Sequence, residues 1–202
     1  MIISSNELIA LERRFRANFI NSLGGFKSVA LIGSRSARGN NNLAVFSSLF
    51  HLGADPALCG IIVRPNPEAE NTLGNIMHSR HYTINHITED FVQQAHQTSA
   101  KYEHGQSEFD AVGLTPEFEP GVNAPFVKES RIRFACELVQ RMDITLNGTF
   151  LLIGKIIHIL VPDEVVGEDG FIDLEKAGTI TTSGLDSYHT TNRIARLAYA
   201  KP

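Results

Sequence analysis

The strongest constraint on the fold is a pair of long strand-like stretches on either side of Asn147-Gly148, a dipeptide typical of tight β-hairpin turns. Apolar and charged residues alternate over 131–139, the pattern of a strand with one face in water. Residues 149–161 (TFLLIGKIIHILV) are rich in β-branched residues and are typical of a returning strand. Together they predict a long antiparallel hairpin, in which Gly154 marks a bulge or a bend such as a barrel corner needs.

A second hairpin is predicted nearer the N-terminus, around a glycine-rich loop. The short apolar run 27–32 enters residues 33–39 (GSRSARG), which in isolation resemble a phosphate-binding loop after a strand. The loop has neither a GxGxxG nor a GKS/T pattern, and it leads into the strand-like run 40–50 (NNNLAVFSSLF) instead of a helix. We therefore interpret it as a turn between two strands.

The remaining elements follow in the order helix, strands, two helices, a long loop, the long hairpin and a tail. An N-terminal helix is predicted over residues 1–24, with Ser4 or Ser5 as its N-cap and Gly24-Gly25 at its end. The other predicted elements are a strand at 57–63, a helix at 68–80, a strand at 82–85, a helix at 89–102, a loop with a short helix at 163–176 and an extended run at 179–182. This order favours a mainly β fold, an antiparallel barrel with helical decorations, over an alternating βαβ sheet.

The length of 202 residues favours one domain spanning residues 1–202. Within it, residues 103–129 are rich in Gly, Pro and acidic residues and show little periodicity. A connection of this length is predicted to be a long wrapping loop, either a functional lid or a segment that wraps a partner.

Charge and apolar patterning exclude several classes of partner. The chain has 18 Lys and Arg against 22 Asp and Glu, a formal charge of −4, and no basic cluster that could follow a phosphate backbone, so nucleic acid is not a predicted partner. No stretch approaches the roughly 18 consecutive apolar residues of a membrane span, and the N-terminus does not have the pattern of a secretory signal, so we expect no membrane association and a cytoplasmic location. Cys59 and Cys136 lie in apolar strand-like runs, which favours buried free thiols over a disulfide or a metal site.

Two adjacent hydroxyls interrupt the apolar run at 40–50. Ser47 and Ser48 lie in an otherwise core-like strand, where buried hydroxyls need hydrogen-bond partners. They are expected to bond either to neighbouring backbone or to a polar ligand that lies along the strand.

Arg64 is a candidate anion-binding residue. It follows the apolar strand at 57–63 and precedes a predicted helix start that carries Asn71, Thr72 and Asn75. A guanidinium next to free helix N–H groups could receive an anion. The alternative is a surface arginine that pairs with Glu68 or Glu70.

Other catalytic chemistry has little support. No serine lies in a GxSxG elbow, which argues against a serine hydrolase. His78 and His81 are three residues apart and His86 follows, but no acidic or thiol partner lies at a ligand spacing, so we interpret them as surface histidines and predict no metal site. Tyr188-His189 lies in a Gly-flanked segment that is either a solvated tail or a flap that contacts a ligand.

Taken in order, these residues resemble the flavin reductase-like family of FMN-binding split-barrel proteins, and in particular its flavoredoxin-like branch. The resemblance is carried by the strand and turn at 29–34, the NLAVFSSLF run at 42–50, and residues 71–76 (NTLGNI), which look like the family's Thr-x-x-Asn-Ile helix start. It continues through the Asp55-Pro56 corner, the strand at 82–85, Ser107-Glu108-Phe109, Gly113-Leu114-Thr115, Ala124-Pro125 and Lys128-Glu129-Ser130. The chain departs from the family pattern at Pro56-Ala57, where relatives often have two prolines, and at Asn71, where an acidic residue is common.

The resemblance implies a split β-barrel, a homodimer and one FMN per subunit near the dimer interface. Residues 42–45 would contact the edge of the isoalloxazine ring, while Ser47, Ser48 and Arg64 would serve the ribityl chain and phosphate. The full set of implied cofactor-binding residues is Ser34, Asn42, Leu43, Ala44, Val45, Ser47, Ser48, Arg64, Thr72 and Asn75. His189 aligns with a C-terminal region that can approach the flavin in relatives, so it is the candidate catalytic residue near a nicotinamide site.

Three functional hypotheses follow. In the first, NADH or NADPH is the co-substrate of an FMN-dependent oxidoreductase that passes electrons to a free flavin, a metal chelate or a small electron-transfer partner. In the second, the protein binds FMN or a related planar ligand without turnover, as a carrier or sensor. In the third, it is an interaction module that uses residues 103–129 and forms a dimer without a ligand.

Overall fold

The computed structural model describes residues 1–66, 71–103 and 105–201, and the architecture is mainly β, as predicted. The strands are β1 (Lys27–Ser28), β2 (Ala30–Arg35), β3 (Asn41–Phe46), β4 (Phe50–Ala54), β5 (Ala57–Val63), β6 (His81–His86), β7 (Pro116–Glu117), β8 (Phe126–Val127), β9 (Arg133–Ile144), β10 (Thr149–Leu160), β11 (Thr181–Ser183) and β12 (Ser187–His189). The helices are α1 (Ser5–Ala10), α2 (Arg13–Leu23), α3 (Thr72–Ser79), α4 (Val92–Gln97) and α5 (Glu108–Val112).

The prediction of one N-terminal helix over residues 1–24 is wrong in one respect, because this segment forms two helices, α1 and α2. Ser4 caps α1 in a reciprocal capping box with Glu7. The chain is extended at Leu11, and the Glu12 carboxylate then accepts the N–H groups of Arg14 and Phe15 at 2.9 Å each. This second cap starts α2 and explains the break.

The helix predicted at 68–80 corresponds to α3, although its first residues, 68–70, lie outside the described part of the chain. Asn71 is the N-cap of α3, since its Oδ1 accepts the Gly74 N–H at 2.9 Å. Arg80, in the left-handed conformation with φ 63°, ends the helix. The helix predicted at 89–102 is shorter than expected: α4 follows a 3-10 turn at Glu89–Phe91 and ends at Gln97.

Seven strands form one antiparallel sheet in the order β3-β2-β6-β9-β10-β5-β4. Its centre is the predicted hairpin of β9 and β10, with Gly148 at φ 74° in the turn. The register shifts between Ile153 and Gly154, which confirms the predicted bulge. The two ends of the sheet, β3 and β4, are edges.

The sheet curls into a barrel around one apolar cluster. Ile32 of β2 and Ile61 of β5 are separated in the sheet by three strands, yet both belong to this cluster, together with Ile84, Leu138 and Leu152. Flat sheets do not bring such distant strands into contact, so the curvature follows from the packing. The barrel stays split because its edges β3 and β4 do not pair with each other.

Gly154 provides space at the centre of this cluster. A Cβ at this position would meet the Tyr82 hydroxyl and the Cys136 Cβ. Cys59 and Cys136 lie on the two strands that flank β10, and their Sγ atoms are 3.5 Å apart. Both are buried free thiols, as predicted, and the hydrogen bond with Cys59 together with burial raises the pKa of Cys136.

Residues 103–129 are more regular than the predicted long loop, apart from residue 104, which lies outside the described part. They contain α5, β7 and β8, and Phe109, Phe126 and Val127 are buried. The segment is fastened to the main sheet where Asn85 Oδ1 accepts the Val127 N–H at 2.9 Å. The segment therefore packs against the seven-stranded sheet of the same chain. The interaction-module hypothesis required this segment to be available to a partner, and the packing gives it no support.

A second, three-stranded sheet in the order β1-β11-β12 places the C-terminal hairpin beside β2 and β3. Its Tyr188 packs against the cluster that contains Leu31 and Leu43. Among the described residues, no helix is long and apolar enough to cross a membrane.

Candidate functional site

A cavity of about 1060 Å³ runs along the open edge of β3. Its walls come from β3 itself, from the end of β5 and the start of α3, from residues 98–103 and 105–108, and from β11 and β12. An edge strand presents backbone groups that have no neighbouring strand, so this wall offers both apolar side chains and hydrogen-bonding groups. Such a combination suits a ligand with a flat apolar body and a polar rim.

Four polar side chains join β2, β3 and α3 in one network at the cavity wall. Asn42 Nδ2 donates to Ser34 Oγ at 3.3 Å and to Thr72 Oγ1 at 3.2 Å. Asn75 Nδ2 donates to the same Ser34 Oγ at 3.2 Å. Ser34, Thr72 and Asn75 are buried, so the network fixes the start of α3 against the strand edge.

The start of α3 is a place where an anion can bind. The first N–H groups of a helix have no acceptor within it, and in α3 those of Thr72 and Leu73 lie in this position. Arg64, directly after β5, is exposed and also lines the cavity, as do Thr72 and Leu73. Glu68 and Glu70, the alternative partners of Arg64, lie outside the described residues. A cationic side chain and free helix N–H groups therefore line one cavity.

The two adjacent serines have different surroundings. Ser48 Oγ accepts the Ile62 N–H at 3.1 Å and donates to the Ile62 carbonyl at 3.0 Å. It serves the backbone of β5 beyond the end of β4, which is the structural alternative predicted for it. Ser47 follows the last residue of β3 and lines the cavity. The strand predicted to continue to residue 50 ends at Phe46, and after a bend at Ser47 the chain enters β4 at Phe50.

Glu108 binds a backbone N–H group of β3 that the family resemblance implied would contact the cofactor. Its Oε2 accepts the Leu43 N–H at 3.0 Å. Because backbone N–H groups along a strand point alternately to its two sides, this one points away from β2 and toward the cavity edge. Sequence reasoning did not single out Glu108 as a site residue, because residues 103–129 were predicted to be a loop and the contact with Leu43 joins positions 65 residues apart.

Tyr188 and His96 form a hydrogen-bonded pair at the other side of the cavity. Tyr188 Oη and His96 Nδ1 are 2.9 Å apart, and the two rings meet edge to face. Burial, followed by the charge of Asp186, raises the pKa of Tyr188. Both residues line the cavity, so the β11–β12 hairpin, which carries Tyr188, forms part of the cavity wall and corresponds to the predicted flap.

His189, the predicted catalytic residue, does not line this cavity. Its Nε2 lies 2.8 Å from Ser183 Oγ and 3.2 Å from Ser187 Oγ, and its ring packs edge to face on Phe26. Alternation along β12 explains the difference, because successive side chains of a strand point to opposite faces. The neighbouring Tyr188 is the residue of this strand that reaches the cavity.

The structure brings most of the predicted cofactor-binding residues together. Those that line the cavity are Asn42, Ala44, Val45, Ser47, Ser48, Arg64, Thr72 and Asn75. Ser34 and Leu43 are fully buried behind it; Ser34 orients two asparagines, and Leu43 offers only its backbone.

Two buried polar atoms in the cavity wall have no hydrogen-bond partner within the described part of the chain. They are Asn41 Oδ1 and Ser107 Oγ. A buried polar atom without a partner is costly, and a polar ligand in the cavity would relieve that cost. The residues present therefore fit a group with several polar atoms, a planar body and an anionic end.

Comparison with known proteins gives the family and the fold of the chain. A family model of the flavin reductase like domain matches residues 26–176. A split-barrel protein from Shewanella frigidimarina NCIMB 400, to which flavin reductase activity is ascribed, is 50% identical with a TM-score of 0.95, over 99% of this chain and 100% of that one.

Two more distant structures share the fold. Nitrilotriacetate monooxygenase component B from Bacillus cereus has a TM-score of 0.85 at 23% identity, over 98% of each chain. Flavoredoxin of Desulfovibrio vulgaris (Miyazaki F) has a TM-score of 0.76 at 19% identity, over 87% of this chain and 92% of that one. The family match covers most of the chain, and on that ground this protein belongs to the flavin reductase-like domain family, as the order of its sequence motifs predicted.

Proposed function

We propose that this protein binds FMN in the cavity along β3 and is an NAD(P)H-dependent oxidoreductase. The observation that carries the proposal is the continuity of the cavity, which joins the open edge of β3 to Arg64 and the first turn of α3. Bound FMN would supply the redox chemistry between a nicotinamide and a free flavin, a metal chelate or a small electron-transfer partner. The 50% identity to the Shewanella protein supports the same class of reaction.

In this proposal the phosphate lies at the start of α3. Arg64 supplies a positive charge, and the Thr72 and Leu73 N–H groups supply directed donors. The network of Ser34, Asn42 and Asn75 holds this turn in place without a contribution from the ligand. Preorganisation of this kind lowers the entropy cost of binding.

The isoalloxazine ring lies along β3. Ala44 and Val45 give an apolar wall, and the Val45 N–H, two residues after that of Leu43, points to the same open side. Asn41 Oδ1 and Ser107 Oγ are placed to gain partners from the polar rim of the ring. The flap residue Tyr188 closes the cavity on its other side and limits the access of water.

We also propose that the protein is a homodimer. Several apolar side chains on the β9–β10 hairpin are exposed, among them Val139 at 46%, Met142 at 46% and Ile159 at 59%. Exposed apolar groups on a long, rigid hairpin favour burial against a second copy.

The proposal is tested by titration of the purified, flavin-free protein with FMN, followed through the quenching of flavin fluorescence. Saturable one-to-one binding is expected, and its absence would refute the proposal. NAD(P)H oxidation by the loaded protein is then measured in the presence of free FMN or ferric chelates. Binding without oxidation would identify the protein as a carrier or sensor.

A further inference from the structure

Glu108 places a negative charge on the strand edge that lines the cavity. Its Oε2 accepts the Leu43 N–H at 3.0 Å, and Glu108 itself lines the cavity. Leu43 lies in the middle of β3, between Asn42 and Ala44, which also line the cavity. A flat ligand along this strand is therefore a direct neighbour of the carboxylate.

The surrounding packing holds Glu108 in this position. The next residue, Phe109, is 1% exposed and belongs to the same apolar cluster as the Leu43 side chain. The turn that follows is closed by the hydrogen bond from the Leu114 N–H to the Phe109 carbonyl at 3.0 Å. The helix α5 cannot move away from β3 without exposing Phe109, so the carboxylate is fixed beside the strand.

A fixed carboxylate affects the two oxidation states of a flavin differently. Uptake of two electrons and one proton converts the neutral oxidised ring into an anion. A nearby negative charge raises the free energy of that anion, and the effect is large where the site is partly shielded from water. Charge next to the ring is one of the ways in which proteins set the potential of a flavin.

Resting on the proposed function, we propose that Glu108 lowers the midpoint potential of bound FMN through its charge, and so makes the reduced cofactor a stronger electron donor. Glu108 is in this view a tuning residue and takes no proton or electron itself. Among the described residues, the cavity has one other carboxylate, Glu103, and the cations Lys27, Arg64 and Lys101. The ammonium group of Lys27 is bound to backbone, since its Nζ donates to the carbonyls of Gly184 and Asn21.

The test compares E108Q with the matched control E103Q. Both variants remove one carboxylate charge from the cavity wall, but only Glu108 is bonded to β3. An amide oxygen at position 108 can still accept the Leu43 N–H, so E108Q separates charge from contact. The measurement is the midpoint potential of bound FMN relative to free FMN, from which the ratio of the affinities for reduced and oxidised FMN follows.

For E108Q we expect this ratio to rise by about tenfold or more, and for E103Q to change by less than about twofold. An unchanged ratio in E108Q, or an equal rise in E103Q, would overturn the inference. E108A provides a second variant if E108Q does not fold: it should raise the ratio in the same direction and speed hydrogen exchange at the Leu43 amide, and an unchanged ratio would again overturn the inference. Failure of the wild-type protein to bind FMN would refute the proposed function instead, and the two failures are thus distinguishable.

Discussion

At the scale of single residues, the cavity along β3 combines polar side chains of β3 and α3 with the carboxylate of Glu108 from α5. The polar residues of β3 and α3 were predicted to share a site, and they do share one cavity. Ser48 looked equivalent to Ser47, but its hydroxyl bonds to both backbone groups of Ile62. Glu108 was not predicted, because its contact with Leu43 joins positions 65 residues apart.

Arg64 gives a prediction about the phosphate. Arg64→Ala should weaken FMN binding by about tenfold, since a charge-assisted contact contributes on the order of 1.4 kcal/mol. Riboflavin, which has no phosphate, should bind the variant and the wild-type protein alike. Lys101→Ala, which removes another cation from the same cavity, is the control and should change the FMN dissociation constant little. Equal loss of FMN and riboflavin affinity in Arg64→Ala would contradict the assignment.

His86 gives a prediction about pH and stability. Burial lowers the pKa of this partly buried side chain from 6.5 to about 4. As pH falls, the unfolded chain gains this proton near pH 6.5 and the folded protein only near pH 4, so the free energy of unfolding decreases across this interval and is unaffected above it. With allowance for partial exposure, the loss is about 2 kcal/mol.

The measurement is urea unfolding of His86→Phe and wild-type protein between pH 4 and pH 7. The variant should lose less stability over this range. His78→Gln, which changes an exposed histidine, serves as the control and should retain the wild-type dependence. Parallel curves for His86→Phe and the wild type would show that His86 does not carry the effect.

At the scale of elements, the predictions succeeded where a local signal dominates. The Asn147-Gly148 turn located the β9–β10 hairpin, and residues 57–63 form β5 as predicted. The strand β4 was missed because nearly all its residues are exposed and it lacks the alternation that marks a half-buried strand. Regular structure in residues 103–129 was missed because it depends on contacts with β6, such as that between Asn85 and Val127.

Gly33 gives a prediction about the docking of this segment. A Cβ at Gly33 would meet the Pro125 carbonyl and the Thr83 hydroxyl, which fasten the segment to the sheet. Gly33→Ala should therefore destabilise the protein by about 1–3 kcal/mol, as other overpacked sites do. Gly24→Ala is the control, since the nearest atom to its Cβ lies at 3.7 Å, and it should change stability by less than about 0.5 kcal/mol. Urea unfolding measures both, and equal stabilities would contradict the packing described.

At the scale of the whole molecule, the antiparallel barrel could be predicted from the order of elements, but the packing inside it could not. Gly154 leaves room for Tyr82 and Cys136, two residues that no local sequence pattern connects to it. The cavity also depends on long-range contacts, because α5 and the C-terminal hairpin, which form part of its wall, both pack near β3.

The exposed apolar residues of the β9–β10 hairpin give a prediction about assembly. Sedimentation equilibrium should give twice the chain mass of 22.2 kDa. Met142→Glu should shift the protein toward the monomer, because a charge in an apolar interface is costly. The exposed Ile9→Glu, on α1, is the control and should leave the dimer intact. A monomeric wild-type protein at micromolar concentration would refute the dimer.

In the proposed function, the cavity along β3 holds FMN in a form that a nicotinamide can reduce. The most direct measurement is the visible absorption spectrum of the FMN-loaded protein, recorded before and after NADPH or NADH is added without oxygen. We predict that the absorbance of the oxidised flavin is bleached within seconds and returns when air is admitted. A protein that takes up no FMN, or that keeps the oxidised spectrum with both nicotinamides, would contradict the claim.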